Sequence, residues 1–401
     1  MTSQSTLPSP ATTMPGRLHA ASDDAARTDA YLPTATVQNH AANLAVLDNG
    51  DLLCAWFGGT QEGVPDISVY MSRLAQGSSV WSGPVRLSDD PTRSEQNPVL
   101  FQAPDGKLWL LYTAQLSGHQ NTSIVRRRIS SDRGRTWGPI DTLFDEPGTF
   151  VRQPIVIAAD GAWLCPVFMC RVAPGERWSG NDDISVVMRS TDDGVSWTAH
   201  EVPGSVGCVH MNIQPLADGS LIALFRSRWA DHIYASRSKD GRGWSAPEPL
   251  DLPNNNSSIQ FVALANGHLG LVFNNSSAKE SVARRASLYD DIEDAEDSGM
   301  LVAQAASSRG TAFWGAPRAP MTLAISTDGG RTWPIARNLE TGDGYCMTNN
   351  SAEKLNREFS YPSIVQSPDG RLHIAYTYFR QRIKYVSVTE DWASAKPQAA
   401  A

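Results

Sequence analysis

The sequence predicts an all-β fold, a β-propeller of four-stranded blades, on three observations. An Asn-Gly or Asp-Gly pair separates two short apolar runs again and again along the chain. A second motif, S-x-D-x-G-x-x-W, recurs in phase with those pairs. The 401 residues include 31 Gly and 12 Trp, material for many tight turns and a large apolar interior.

The Gly pairs are Asn49-Gly50, Asp105-Gly106, Asp160-Gly161, Asp218-Gly219, Asn266-Gly267 and Asp369-Gly370. Such dipeptides accept the positive φ angles of two-residue hairpin turns. Each follows one apolar run (NLAVL, NPVLF, QPIVI, NIQPL, IQFVAL, PSIVQ) and precedes another (LLCAWF, LWLLYT, AWLCPVF, LIALFR, LGLVFN, LHIAYTY), so six copies of one hairpin are visible. The second motif reads SSDRGRTW, STDDGVSW and STDGGRTW, with a shorter copy in SKDGRGW. It is the Asp-box, in which Asp132, Asp192, Asp240 or Asp328 caps backbone N–H groups of a turn, a structural duty. One Gly hairpin plus one Asp-box hairpin makes four strands, which is a propeller blade. Between Gly267 and Gly370 the spacing nearly doubles. That gap holds either one blade with a long insertion at 276–316 or a seventh blade. The charged run AKESVARRASLYDDIEDAEDSG favours six blades and a helical or mobile insertion. The expected organisation is a flexible segment over 1–30 and a single propeller over 31–395.

A formal charge of -8 and a pI near 5.5 oppose a nucleic-acid or anionic-membrane partner, which needs a basic face. No apolar run approaches the ~18 residues of a membrane span. The polar, Pro/Ser/Thr-rich start has no apolar signal-peptide core, so a cytoplasmic monomer is expected, although a secreted chain trimmed of its leader would read the same. Five cysteines without CxxC spacing read as small buried apolar residues. No cofactor or metal is called for, because no His/Cys/Asp cluster has ligand spacing.

In propellers the side chains at the mouths of the innermost strands converge on a central cavity. Here those mouths carry Gln38, Asn39 and His40; Gln96 and Asn97; Arg152 and Gln153; His210 and Asn212; Asn254 to Asn256 and Gln260; and Glu358 and Tyr361. The Asp-boxes and strand order resemble the sialidase-type propeller superfamily from about residue 36 to residue 390. That resemblance implies an arginine triad, an aspartic acid and a tyrosine nucleophile backed by a glutamate. Tyr361, Arg226 and Arg318 match parts of this set. His40 stands where the first arginine belongs and His210 where the glutamate belongs, while Gln61 and Glu62 lie nearest the acid position.

The segments QNHAANL, FGGTQEG, VHMNIQPL, FRSRWADHIYASRS and LPNNNSSIQ are similar to a narrower branch, the rhamnose-α-1,4-glucuronate lyases, which remove terminal L-rhamnose from arabinogalactan chains. The resemblance implies a catalytic histidine, carried onto His40, with His210 and Tyr361 beside it. Gln38, Asn39, Gln61, Gln96, Arg152, Asn212, Arg226, Asn256, Gln260 and Arg318 are the expected substrate-binding residues, and the expected partner is a glycan bearing a uronate. The chemistry favours a histidine independently. The C5 proton of a 4-O-substituted glucuronate lies α to the carboxylate and on the same ring face as O4, so one imidazole can serve both ends of a syn elimination. Two other readings stay open: an exo-hydrolase of sialidase type and a non-catalytic glycan-binding propeller. Residue by residue, a histidine beside amides also satisfies a buried strand end, and Arg152 also fits a structural pair with Asp145 or Glu146. His200, His232, His268 and His373 fall on outer strands or turns.

Overall fold

A computed structural model describes residues 15–172, 176–289, 292 and 310–395. Among them are six antiparallel sheets of four or five strands, each running outward from an innermost strand. The innermost strands are Gln38–Val46, Ser94–Gln102, the broken pair Thr149–Val151 and Val156–Ile157, Cys208–Pro215, Gln260–Ala263 and Phe359–Gln366. All six Gly pairs turn between the first and second strands of a blade, with Gly50, Gly106, Gly161, Gly219, Gly267 and Gly370 at φ of 80 to 85°. A side chain at that φ would meet its own backbone, which is why glycine recurs there.

The four Asp-boxes lie between the third and fourth strands of blades two to five. In the first of them Asp132 Oδ1 accepts the N–H groups of Arg135 and Thr136 at 3.0 and 2.8 Å, and Ser130 Oγ accepts that of Gly134 at 2.8 Å. The Thr136 hydroxyl and these backbone donors hold the Asp132 carboxyl well below the ordinary carboxylate range, and the Ser196 hydroxyl and N–H hold that of Asp192 at about 2. Asp-box aspartates are therefore occupied as caps on the turns.

Residues Leu269–Asn274 and Met321–Ser326 pair directly as second and third strands of the fifth blade. The doubled spacing is thus an insertion within one blade, and no strand lies between them among the described residues. The later part of the charged run that suggested a helix or mobile lid, from 290 on except 292, falls outside the described residues; its first three residues, Ala278–Glu280, form a single 3-10 turn, with Ser277 and Glu280 forming a capping box.

The N-terminal boundary needs correction. Residues Asp24–Tyr31 pair with Arg382–Val388, and His19–Ala21 pair with them in turn, so the segment expected to be flexible supplies the two outer strands of the sixth blade. Its pairing accounts for the placement: Ala30 is buried in the core, and the equally buried Arg27 and Asp29 pair with each other and Asp29 with Lys384 at 3.0 Å. The apolar core fills the spaces between neighbouring sheets, as where Leu44, Cys54 and Trp56 of the first blade meet Ala375, Ile383 and Tyr385 of the sixth. All five cysteines are buried and unbridged.

One local feature positions the channel side chains. Ala41, Asn97, His210, Asn256 and Tyr361 have φ between 49 and 61°. At four of these places the pairing with the second strand slips, between His40 and Asn43, Gln96 and Val99, Val209 and Asn212, and Ser360 and Ser363. A left-handed residue in a strand produces a bulge that re-aims side chains, here at the mouth of the channel.

Candidate active site at the centre of the propeller

Tyr361 occupies the centre. The rings of His40 and His210 flank it at 4.3 and 5.6 Å, and the guanidinium carbons of Arg152, Arg226 and Arg318 stand 5.3, 5.6 and 5.6 Å from its ring. The sequence-derived catalytic trio therefore meets in space. The two histidines are not equivalent, however: His210 shares the bulge position of Tyr361, whereas His40 lies one residue before its own bulge at Ala41.

His40 is fully buried. Its Nδ1 lies 2.8 Å from Thr377 Oγ1 and 3.9 Å from Glu358 Oε1, and its Nε2 has no partner among the described residues. A carboxylate on that side favours the proton on Nδ1, which leaves the Nε2 lone pair free. Burial, then Arg380, Arg318, Arg152 and Arg226, holds His40 well below the ordinary imidazole value, so the ring is neutral near pH 7. His210 is held down likewise by burial and by Arg226, with Nε2 3.4 Å from Arg226 Nη1 and Nδ1 unpartnered among the described residues.

The arginines divide by partner. Arg226 donates from Nε to Asn256 Oδ1 at 2.8 Å and from Nη1 to the Tyr361 hydroxyl at 2.6 Å. It is buried with no carboxylate partner among the described residues, and burial lowers it to about 10. Asn256, held in turn by Phe313 O at 2.8 Å, orients Arg226. Arg318 faces Glu358 at 3.3 Å; burial opposes its charge, but Glu358 raises its pKa above the usual value. Glu358 continues through Arg380 (3.0 Å) to Glu62 (2.5 Å), a buried ion chain.

Several expected ligand-binding residues hold backbone. Arg152 pairs with neither Asp145 nor Glu146: it donates to Ser258 Oγ and to the carbonyls of Ala41, Ala42, Tyr361 and Pro362. It ties the first and sixth inner strands together beneath the tyrosine. Asn212 accepts the Phe261 N–H at 2.7 Å, and Gln260 accepts that of Ile364 at 2.7 Å. Asn43 and Ser363 do the same for Leu100 and Leu44, so side chains staple four of the six inner strands to the next. Asn39 faces away, bonded to Thr36 O, Gln381 O and Trp56 Nε1. Gln38 accepts from Glu62 N and Ser351 Oγ, Gln96 donates to Ser94 Oγ, and Gln61 forms a bridge with Asn350 at the rim.

Sequence reasoning missed Thr377, Arg380, Arg228 and Asp183. Arg228 and Asp183 pair at 2.7 Å among Phe168, Trp178 and Trp314. The period-two spacing of Arg226 and Arg228 in FRSR could have flagged the latter, since alternate residues share a strand face; Arg380 sits in a turn and carries no such signal.

Among curated proteins no sequence matches this chain. Among solved structures it is similar to the Hadza microbial sialidase Hz136 (TM-score 0.66, 13% identity, 89% of this chain and 66% of that one). It is also similar to the intramolecular trans-sialidase of Ruminococcus gnavus in complex with oseltamivir carboxylate (0.64, 13%, 90% and 96%). A third is a protein of unknown function from Dyadobacter fermentans (0.63, 16%, 90% and 97%). At these identities the likeness concerns the fold, a sialidase-like β-propeller. The model of the BNR repeat-like domain matches residues 50–374, most of the chain, and the protein therefore belongs to the BNR repeat-like domain family.

Proposed function

We propose that the protein is a glycan-active lyase that removes terminal L-rhamnose from α-1,4-linked glucuronate of arabinogalactan-type chains by β-elimination. The sialidase-like fold supports a glycan as ligand. The observation that carries the finer reading is His40: a buried neutral imidazole anchored at Nδ1, its Nε2 without a partner among the described residues, packed 4.3 Å from the Tyr361 ring whose hydroxyl is held by Arg226.

Arg226, assisted by Arg318, neutralises the substrate carboxylate and thereby acidifies the C5–H bond next to it. His40 Nε2 takes the C5 proton, the electron pair forms the C4–C5 double bond, and the C4–O4 bond breaks. The same ring then returns the proton to O4 on the shared face. Glu358, 3.9 Å from Nδ1, stabilises the transient imidazolium. The products are L-rhamnose and a chain ending in a 4,5-unsaturated uronate. Arg152, Asn212 and Gln260, expected from the sequence to bind substrate, do not hold the carboxylate in this assignment, because their polar groups serve the backbone.

A second reading, an exo-hydrolase using Tyr361, draws support from the hydrogen bond that Arg226 Nη1 donates to the Tyr361 hydroxyl at 2.6 Å, which fixes that oxygen at the centre of the site. Against it, no carboxylate contacts the Tyr361 hydroxyl among the described residues. The deciding experiment incubates wild type, His40→Ala and Tyr361→Phe with a rhamnose-capped arabinogalactan oligosaccharide and reads products by mass spectrometry and uronate absorbance. The lyase reading expects an unsaturated product lighter by one water than a hydrolytic one, and a loss of about 10²–10⁴-fold in His40→Ala. A hydrated product, abolished only in Tyr361→Phe, establishes the hydrolase instead, and binding without turnover establishes a lectin-like role.

A further inference from the structure

The channel lining divides by charge. Arg226, Arg318, Glu358 and Arg380 occupy the sector of blades four to six, whereas the sector of blades one and two carries a cluster of neutral amides beside His40, Glu62 and Glu95, with no arginine among its innermost-strand residues. Gln38, Gln96, Asn97 and Gln115 are each at most 5% exposed. Each leaves one polar atom without a partner among the described residues: Gln38 Nε2, Gln96 Oε1, Asn97 Oδ1 and Gln115 Oε1. Buried polar atoms are normally paired, and an unpaired one costs about 1–3 kcal/mol. Blades four to six also hold unpaired buried atoms, on His210, Asn212, Ser257, Asn274 and Asn356, but there they stand among the arginines, whereas here all four belong to neutral amides, the groups that pair with sugar hydroxyls.

The four residues are joined through the insertion. The Tyr289 hydroxyl accepts N–H groups from Gln115 and Gln120, both at 3.1 Å. Its ring lies so close to Gly63 that a β-carbon there would come within 2.7 Å, and the neighbouring Glu62 N–H binds Gln38. Gln96 and Gln115 flank the same strand pairing, through Thr113 and Ser94, and Asn97 takes the bulge position that His210 and Tyr361 take in their own blades. Tyr289 thus roofs the amide sector.

Three of the four free atoms are acceptor oxygens, with Glu62 close by. A carboxylate, which only accepts, is repelled there, while a hydroxyl-rich neutral ring supplies the donors. We infer that this sector is the subsite for a neutral monosaccharide unit, the departing sugar in the reaction proposed above, on which this assignment of role rests. The ligand then lies across the channel with its uronate at Arg226 and its neutral sugar at Gln38, Gln96, Asn97 and Gln115 under Tyr289.

The test measures binding of methyl α-L-rhamnopyranoside and methyl β-D-glucuronide to the full chain by saturation-transfer NMR, with thermal melts as the folding control. Gln96→Leu and Tyr289→Phe are expected to weaken the rhamnoside about five- to tenfold and the glucuronide less than about twofold; Arg226→Met is expected to do the reverse. If Gln96→Leu does not fold, Asn97→Ala carries the same expectation. Unchanged rhamnoside binding in these variants, or equal weakening of both probes, overturns the subsite. Rhamnoside binding as expected without any unsaturated product keeps the subsite and removes the lyase; failure of wild type to bind either probe removes both.

Discussion

Arg152 and Arg226 are both almost wholly buried and both lowered by burial to about 10, yet their partners give them opposite duties. Arg152 satisfies four carbonyl oxygens of the first and sixth inner strands, groups that water cannot reach. Removing it leaves those acceptors unpaired, at about 1–3 kcal/mol each before relaxation. Arg226 meets two neutral oxygens and, among the described residues, no carboxylate, so its charge is a cost to the free protein. Arg152→Met is therefore expected to lower the melting temperature sharply, while Arg226→Met leaves it unchanged or raises it and loses affinity for a glucuronide. Melting curves and glucuronide titration of the two variants check this, and a stable Arg152→Met that has lost the ligand reverses the assignment.

The inner strand is the element in which sequence and structure diverge most. Its existence was legible six times over from the Gly pairs, and His40, His210 and Tyr361 from their place at its mouth. The bulge was not legible. Ala41, Asn97, His210, Asn256 and Tyr361 share a left-handed φ but no residue type, because tertiary packing and not local propensity imposes the conformation. Without the bulge, Asn212 reads as a cavity residue, whereas its acceptor oxygen turns sideways to the neighbouring blade, as that of Gln260 does from an unbulged strand. The outer strand Asp24–Tyr31 was missed for a related reason: its partner, Arg382–Val388, stands at the far end of the chain. The staple has a measurable consequence. Asn212→Ala orphans the Phe261 N–H and is expected to cost about 1–3 kcal/mol in urea denaturation with little change in turnover. A large fall in kcat/KM at unchanged stability would return Asn212 to the substrate.

At the scale of the whole molecule, the ring closes because an N-terminal strand completes the last blade, and burial of imidazoles makes the closed ring sensitive to acid. His40 and His210 are held well below the ordinary value by burial and arginines, and burial lowers His373 to about 4, beside Ser367 and Tyr385 at the seam of blades six and one. In the unfolded chain each returns to about 6.5. Between those values the unfolded state binds more protons than the folded one, so stability rises with pH. The contribution is complete above about pH 6.5 and is lost as pH falls toward the folded value; for His373 alone the difference amounts to roughly 3 kcal/mol. The unfolding free energy measured with urea is expected to be flat from pH 7 to 8 and to drop by several kcal/mol by pH 5, well above the range in which the Asp-box carboxylates titrate. An anionic ligand at Arg226 offsets that cation and should shrink the drop, since it raises the folded pKa of both central histidines. Stability equal at pH 5 and pH 7 without ligand would mean that the imidazoles take up protons in the folded protein as they do in the unfolded chain, and the depression assigned to His40, His210 and His373 would fall with that result.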